Sequence, residues 1–167
     1  MSGCVFSQGA ARSLFRVSYS WKSVTVIRVI LADDDERVRA TLRAIIEKQY
    51  PAARIIAEAA DRLEAVSAAE QEKPDLVILD ISMPRMDGFI AAQNIKARYP
   101  DVPIIMISGH TDIGHVREAF RCGAHGYVFK HRVATELIIA MNTVLSGQPY
   151  ETRDLGVKAS GRGLRSR

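Results

Sequence analysis

Asp33, Asp34 and Asp35 follow the apolar run Val29–Ala32, and Asp80 closes the run Leu76–Leu79. Ser108 closes Ile104–Ile107, and Lys130 closes Tyr127–Phe129. If these runs are strands of one parallel sheet, their carboxyl ends share an edge, which is where open α/β sheets bind ligands. Clustered carboxylates are costly to bury unless a cation or hydrogen bonds compensate. The chemistry that suits them is phosphoryl transfer to a carboxylate. Mg²⁺ takes octahedral oxygen ligands, commonly one or two carboxylates with water and phosphate oxygens. Asp34 and Asp80 could supply those carboxylates, with a backbone carbonyl from the loop just after Asp80. Asp80 would attack phosphorus as a nucleophile, Lys130 and the metal would neutralise the phosphoryl oxygens, and the Ser108 hydroxyl would hydrogen-bond one of them.

Each residue alone has a plainer reading. Asp33 and Asp34 suit a solvated helix start, Asp80 a turn before Pro84, and Lys130 an ordinary surface. Their joint placement at strand ends favours the chemical reading. Asp35 is read as a helix N-terminal charge favoured by the macrodipole, not as a ligand.

The elements that must position these residues alternate regularly. Val26–Ala32, which is β-branched, and Arg54–Glu58, Leu76–Asp80, Ile104–Ile107 and Tyr127–Lys130 read as strands, built around apolar runs. Between them, Arg37–Tyr50 carries Val38, Leu42, Ile45 and Ile46 on one helical face and ends at Pro51. A second helix starts at an Asp61 N-cap with Glu64 three residues on and runs to about Lys73. Further helices cover Phe89–Tyr99, Ile113–Arg121 before Gly123, and Ala134–Ser146 before Gly147. Five βα units of this kind predict an α/β fold with a parallel sheet covered on both faces.

Charge is unevenly placed. The 167 residues carry a net +4, yet residues 33–149 hold 14 basic and 17 acidic residues. The basic excess belongs to the ends, which argues against a nucleic-acid-reading face on the domain. Residues 1–24 are acid-free and share the composition of a transit peptide, but read as a disordered extension or an upstream start. Residues 149–167 read as a basic flexible tail. No 18-residue apolar run predicts a membrane span, and Cys4 and Cys122 read as reduced thiols of a cytoplasmic protein. His110, His115, His125 and His131 match no structural zinc spacing; His110 is placed at the mouth of the site and the others on the surface.

Residues 25–148 resemble the receiver domain of bacterial two-component response regulators. The resemblance rests on Val29-Ile30-Leu31-Ala32-Asp33-Asp34, Asp75–Pro84, Asp87-Gly88, Ile107-Ser108 and Gly126–Lys130 at these separations. It implies a flavodoxin-like, doubly wound (βα)5 three-layer sandwich with sheet order 2-1-3-4-5. It also implies phosphorylation of Asp80 by a histidine kinase or phosphotransfer protein, with Mg²⁺ held by Asp33, Asp34, Asp80 and the carbonyl of Ser82. Ser108 and Tyr127 would be the switch pair, and the surface of helix 4, strand 5 and helix 5 would signal to a downstream protein or a second copy. Apart from phosphorylation and slow dephosphorylation of its own Asp80, the resemblance implies no enzyme. Gly126–Lys130, Thr135-Glu136-Leu137 and Leu145–Tyr150 most resemble receivers carrying a LuxR-type DNA-binding output. Only 17 residues follow Tyr150, too few for that output, so no direct DNA binding is expected. Two departures are His131, where many receivers have proline, and Gly109, which would widen access to the phosphoryl site.

Two other classes compete. A haloacid-dehalogenase-like phosphatase also uses a strand-end aspartate and Mg²⁺, but wants a second aspartate where this chain has Ser82. A phosphorylation-independent interaction module would keep the fold without using the site. Part of the apolar excess of the last helix, Ile138 and Ile139 beside Leu137 and Met141, reads as a docking or dimer surface.

Overall fold

The computed structural model describes residues 26–84 and 87–152. Six strands form one parallel sheet: β1 (Ile27–Ala32), β2 (Ala53–Ala59), β3 (Leu76–Asp80), β4 (Ile104–Ser108), β5 (Gly126–Phe129) and β6 (Tyr150–Glu151). Their order is β2-β1-β3-β4-β5-β6. The five helices between them are α1 (Glu36–Gln49), α2 (Arg62–Glu72), α3 (Asp87–Arg98), α4 (Ile113–Arg121) and α5 (Val133–Leu145).

The strand alternation divides the core in two. Val29, Leu31, Ile78, Ile105, Ile107 and Val128 pack with Leu42 and Ile46 of α1 and Leu137, Ala140 and Met141 of α5. Ile30, Ala32, Val77, Leu79, Met106, Tyr127 and Phe129 pack on the other face with Ala65 and Ala69 of α2, Ala91 and Ile95 of α3, and Val116 and Ala119 of α4. Both faces of β3 and β4 are therefore covered, and every residue of the two strands is buried. Their unbroken apolar runs follow from that burial. The expected doubly wound three-layer sandwich is what forms.

Local signals set the boundaries. Asp35 caps α1, its side chain accepting from the Arg37 N–H, which gives it a more specific task than a favourable charge. Asp61 caps α2 through the Glu64 N–H at 2.9 Å, while the Glu64 carboxylate reaches back to the Ala60 N–H at 2.8 Å. Gly123 (φ 94) and Gly147 (φ 84) take the left-handed conformation that ends α4 and α5.

Most boundaries lie within one or two residues of the sequence reading, and two differences bear on the site and the sheet. Lys130 lies outside β5, opening a short 3₁₀ turn, Lys130–Arg132, that leads into α5. The sheet also gains β6 from residues read as tail: the Tyr150 N–H donates to the His125 carbonyl at 2.9 Å and the Thr152 N–H to the Tyr127 carbonyl at 3.1 Å. A two-residue strand offers too little pattern to be seen in a sequence. The expectations for residues 1–24 and for Cys4 lie outside the described residues.

Candidate functional site

The chain leaves β1 for one side of the sheet and β3 for the other, so the ends of these adjacent strands frame a crevice. Asp33 follows the last residue of β1 and Asp80 is the last residue of β3; both are buried, and Asp34 beside them is exposed. One carboxylate oxygen from each of the three lies within 4.8 Å of the others. The Lys130 ammonium bridges the two buried acids, 2.9 Å from Asp33 Oδ2 and 3.0 Å from Asp80 Oδ2.

Supports hold this arrangement in place. Asp33 Oδ1 accepts from the Asp35 N–H at 2.9 Å, and the Asp33 carbonyl accepts from Arg39 Nη1 at 2.7 Å. Arg39 is itself paired with Glu58 of β2 at 3.2 Å. Nothing in the sequence singled out Arg39, one charged residue among several on α1. Gly88, in the first turn of α3, packs directly on the end of β3. A Cβ at this position would lie 2.2 Å from the Asp80 carbonyl oxygen and 2.7 Å from Ile81 Cα. Glycine at position 88 thus allows a helix start to lie against the strand end.

Burial raises the Asp80 carboxyl above the ordinary carboxylate range, and the Asp33 charge adds to the rise. The Lys130 ammonium and the nearby Ser82 N–H oppose it without cancelling it. That N–H lies near the carboxylate without closing a well-formed hydrogen bond, and Asp80 Oδ1 is left buried without a partner. Burial pushes the Lys130 ammonium down, but hydrogen bonds to Asp33 and Asp80 outweigh it, so its pKa lies above that of a free lysine. Three carboxylates against one ammonium, with an unpartnered buried oxygen, suit a hard divalent cation.

The second half of the site is at the ends of β4 and β5. Ser108 is buried, and its Oγ accepts from the His110 N–H at 2.9 Å. Tyr127 lies wholly inside, its hydroxyl donating to the His110 carbonyl at 2.9 Å. Burial raises the Tyr127 phenol, partly offset by the neighbouring Ser108 hydroxyl. His110 therefore ties the two together through its backbone, a role its side chain could not signal. Gly109 has open space where a Cβ would stand, and Ser82 is exposed.

Residues 29–142 match the model of the response regulator receiver domain family. The chain belongs to this family. The receiver is 35% identical over 130 residues to the response regulator UvrY of Escherichia coli strain K12, covering 78% of this chain and 59% of that protein. It is 32% identical over 124 residues to the transcriptional regulatory protein DegU of Brevibacillus brevis, covering 74% of this chain and 52% of that protein. Among solved structures it superimposes on a LuxR-family two-component response regulator from Aurantimonas sp. SI85-9A1 with a TM-score of 0.74 and 31% identity, covering 78% of this chain and 93% of that one. The chain spans about half the length of the curated relatives it matches.

The four histidines of the receiver divide differently from the sequence reading. His131 is exposed and stacks on Phe129, with ring centroids 5.6 Å apart. His125 is half-buried, its Nδ1 facing the Ile104 N–H at 3.4 Å, and burial lowers its pKa. His115 is also half-buried, beside His110 at the start of α4. Among the described residues no helix is long and apolar enough to cross a membrane.

Proposed function

We propose that this receiver is switched by phosphorylation of Asp80. The observation that carries the reading is the Lys130 ammonium bridging Asp33 and Asp80 at 2.9 and 3.0 Å at the carboxyl edge of the sheet. An Asp80 oxygen would attack the phosphorus of a phosphohistidine on a histidine kinase or phosphotransfer protein. The new P–O bond forms as the P–N bond breaks, and the electron pair stays on the imidazole, which takes up a proton. Mg²⁺, held by Asp33, Asp34, Asp80 and the Ser82 carbonyl, would supply positive charge to the phosphoryl oxygens. Lys130 would supply the protein's own charge to the same oxygens, trading part of its ion pair with Asp80 for one with the phosphoryl group. Ser108 would donate its hydroxyl hydrogen to a phosphoryl oxygen while Tyr127 holds the inward position.

The consequence is a change in the surface of α4, β5 and α5, read by a downstream protein or a second copy of the chain. Apart from this phosphorylation and slow loss of the phosphoryl group, the reading assigns no enzymatic turnover. The receiver acts in the cytoplasm beside its kinase.

Intact-mass measurement after treatment with acetyl phosphate and Mg²⁺ tests the proposal. One hydroxylamine-labile phosphoryl group is expected on the wild type and none on Asp80→Asn. No addition from acetyl phosphate or a cognate kinase would leave only an interaction module with this fold. Sustained turnover of generic phosphoesters would instead support a phosphatase, against which Ser82 stands where a second aspartate would be needed.

A further inference from the structure

The loop that holds the Ser108–Tyr127 pair carries a second group of metal-ligating side chains. His110, Asp112 and His115 each bring a ligand atom within 4.8 Å of the other two. The imidazoles of His110 and His115 lie face to face, ring centroids 4.2 Å apart and 6° from parallel. His115 Nδ1 meets Asp112 Oδ2 at 2.5 Å. The other oxygen, Asp112 Oδ1, caps α4 by accepting from the His115 N–H at 3.1 Å. His110 and Asp112 are exposed and His115 half-buried, so the group is open to solvent.

We propose that His110, Asp112 and His115 form a binding site for a first-row transition ion such as Zn²⁺, separate from the Asp33–Asp34–Asp80 crevice. Two imidazoles and one carboxylate are a donor set that Zn²⁺ accepts and Mg²⁺ does not favour. Three protein donors leave a fourth position to water, as in open zinc sites. The ion takes the place of the hydrogen between His115 Nδ1 and Asp112 Oδ2, and the neutral imidazole carries its proton on Nε2 instead. The cap on α4 survives because it uses the other carboxylate oxygen. Donor atoms around a tetrahedral Zn²⁺, with bonds of about 2.0–2.2 Å, lie roughly 3.3 Å apart. Binding therefore opens the His115 Nδ1–Asp112 Oδ2 pair from 2.5 Å and turns the stacked rings so that a nitrogen of each points at the ion. Because the His110 backbone engages both Ser108 Oγ and the Tyr127 hydroxyl, the ion would clamp the segment that covers the switch pair. The site was illegible in the sequence because its spacing resembles no structural zinc pattern; the turn before α4 brings the donors together.

Zinc titration by calorimetry in excess Mg²⁺, with Co²⁺ visible absorption as a second readout, tests the site. One equivalent of Zn²⁺ at micromolar concentrations is expected for the wild type and for Asp80→Asn. Co²⁺ should give the intense visible bands of a low-coordinate site with nitrogen ligands. The His110→Ala/His115→Gln variant should lose both signals while keeping its fold by circular dichroism, and His131→Ala should keep both. Undiminished binding in the double variant, loss of binding in Asp80→Asn, or no zinc uptake by the wild type would overturn the assignment. Phosphorylation of Asp80 is a separate measurement, so either result can fail without the other.

Discussion

At the scale of single residues, the site is a carboxylate held at a cost. Asp80 is 1% exposed and its pKa is raised, mainly by burial. A carboxyl raised in the folded state binds its proton more tightly there than in the unfolded chain. Its favourable contribution is complete below the ordinary value of 3.8 and is lost as pH rises through the folded value. At neutral pH the ionised Asp80 therefore destabilises the fold. Asp80→Asn removes the charge and keeps the shape, while Lys130 retains Asp33 at 2.9 Å. The variant should be more stable than wild type by on the order of 1–3 kcal/mol at pH 7, the cost of an incompletely satisfied buried group. The advantage should shrink as pH falls into the range where the wild-type carboxyl gains its proton. Thermal melts of both proteins across that range measure the effect. A variant less stable than wild type at pH 7 would mean that the Lys130 pair outweighs burial.

At the scale of elements, the decisive contact is between the first turn of α3 and the end of β3. Two effects compete at Gly88. Alanine has the better helix propensity by about 1 kcal/mol, but its Cβ would lie 2.2 Å from the Asp80 carbonyl oxygen. That neighbour is backbone in a fully buried strand and cannot turn aside. The clash should win, so Gly88→Ala is expected to lose about 1–3 kcal/mol and to slow labelling of Asp80 by shifting the strand end. Denaturant unfolding and acetyl phosphate labelling check the two halves; a stable, slowly labelled variant would still show that the contact sets the site. The contrast with other elements shows what a sequence discloses. Leu76–Leu79 and Ile104–Ile107 were legible because burial on both faces demands an unbroken apolar run. The strand ends were legible because charged residues interrupt such runs abruptly. The Arg39 support, the His110 backbone bonds and the Gly88 contact were not, because each depends on backbone geometry that no periodicity encodes.

Across the whole molecule, the segment after α5 is fastened to the strand that carries Tyr127. β6 pairs with β5 through Gly126–Tyr150 and Tyr127–Glu151, and the Tyr150 hydroxyl donates to Glu136 of α5 at 3.0 Å. Thr152 completes the attachment. It is 1% exposed, its Oγ1 accepts from the Phe129 N–H at 3.3 Å, and the same hydroxyl donates to the Tyr127 carbonyl at 3.3 Å. Sheet, Tyr127 and final strand therefore share one hydrogen-bonded edge. Thr152→Val keeps the volume and removes the hydroxyl, leaving the Phe129 N–H buried without its acceptor. The expected loss is about 1–3 kcal/mol, with faster hydrogen exchange at the Phe129 amide. Exchange should stay slow at the Ile105 and Ile107 amides of β4, in the sheet interior. Unchanged exchange at Phe129 would show that β5 keeps its edge without the threonine. A selective gain at Phe129 would show that the residues following α5 hold the strand that carries Tyr127.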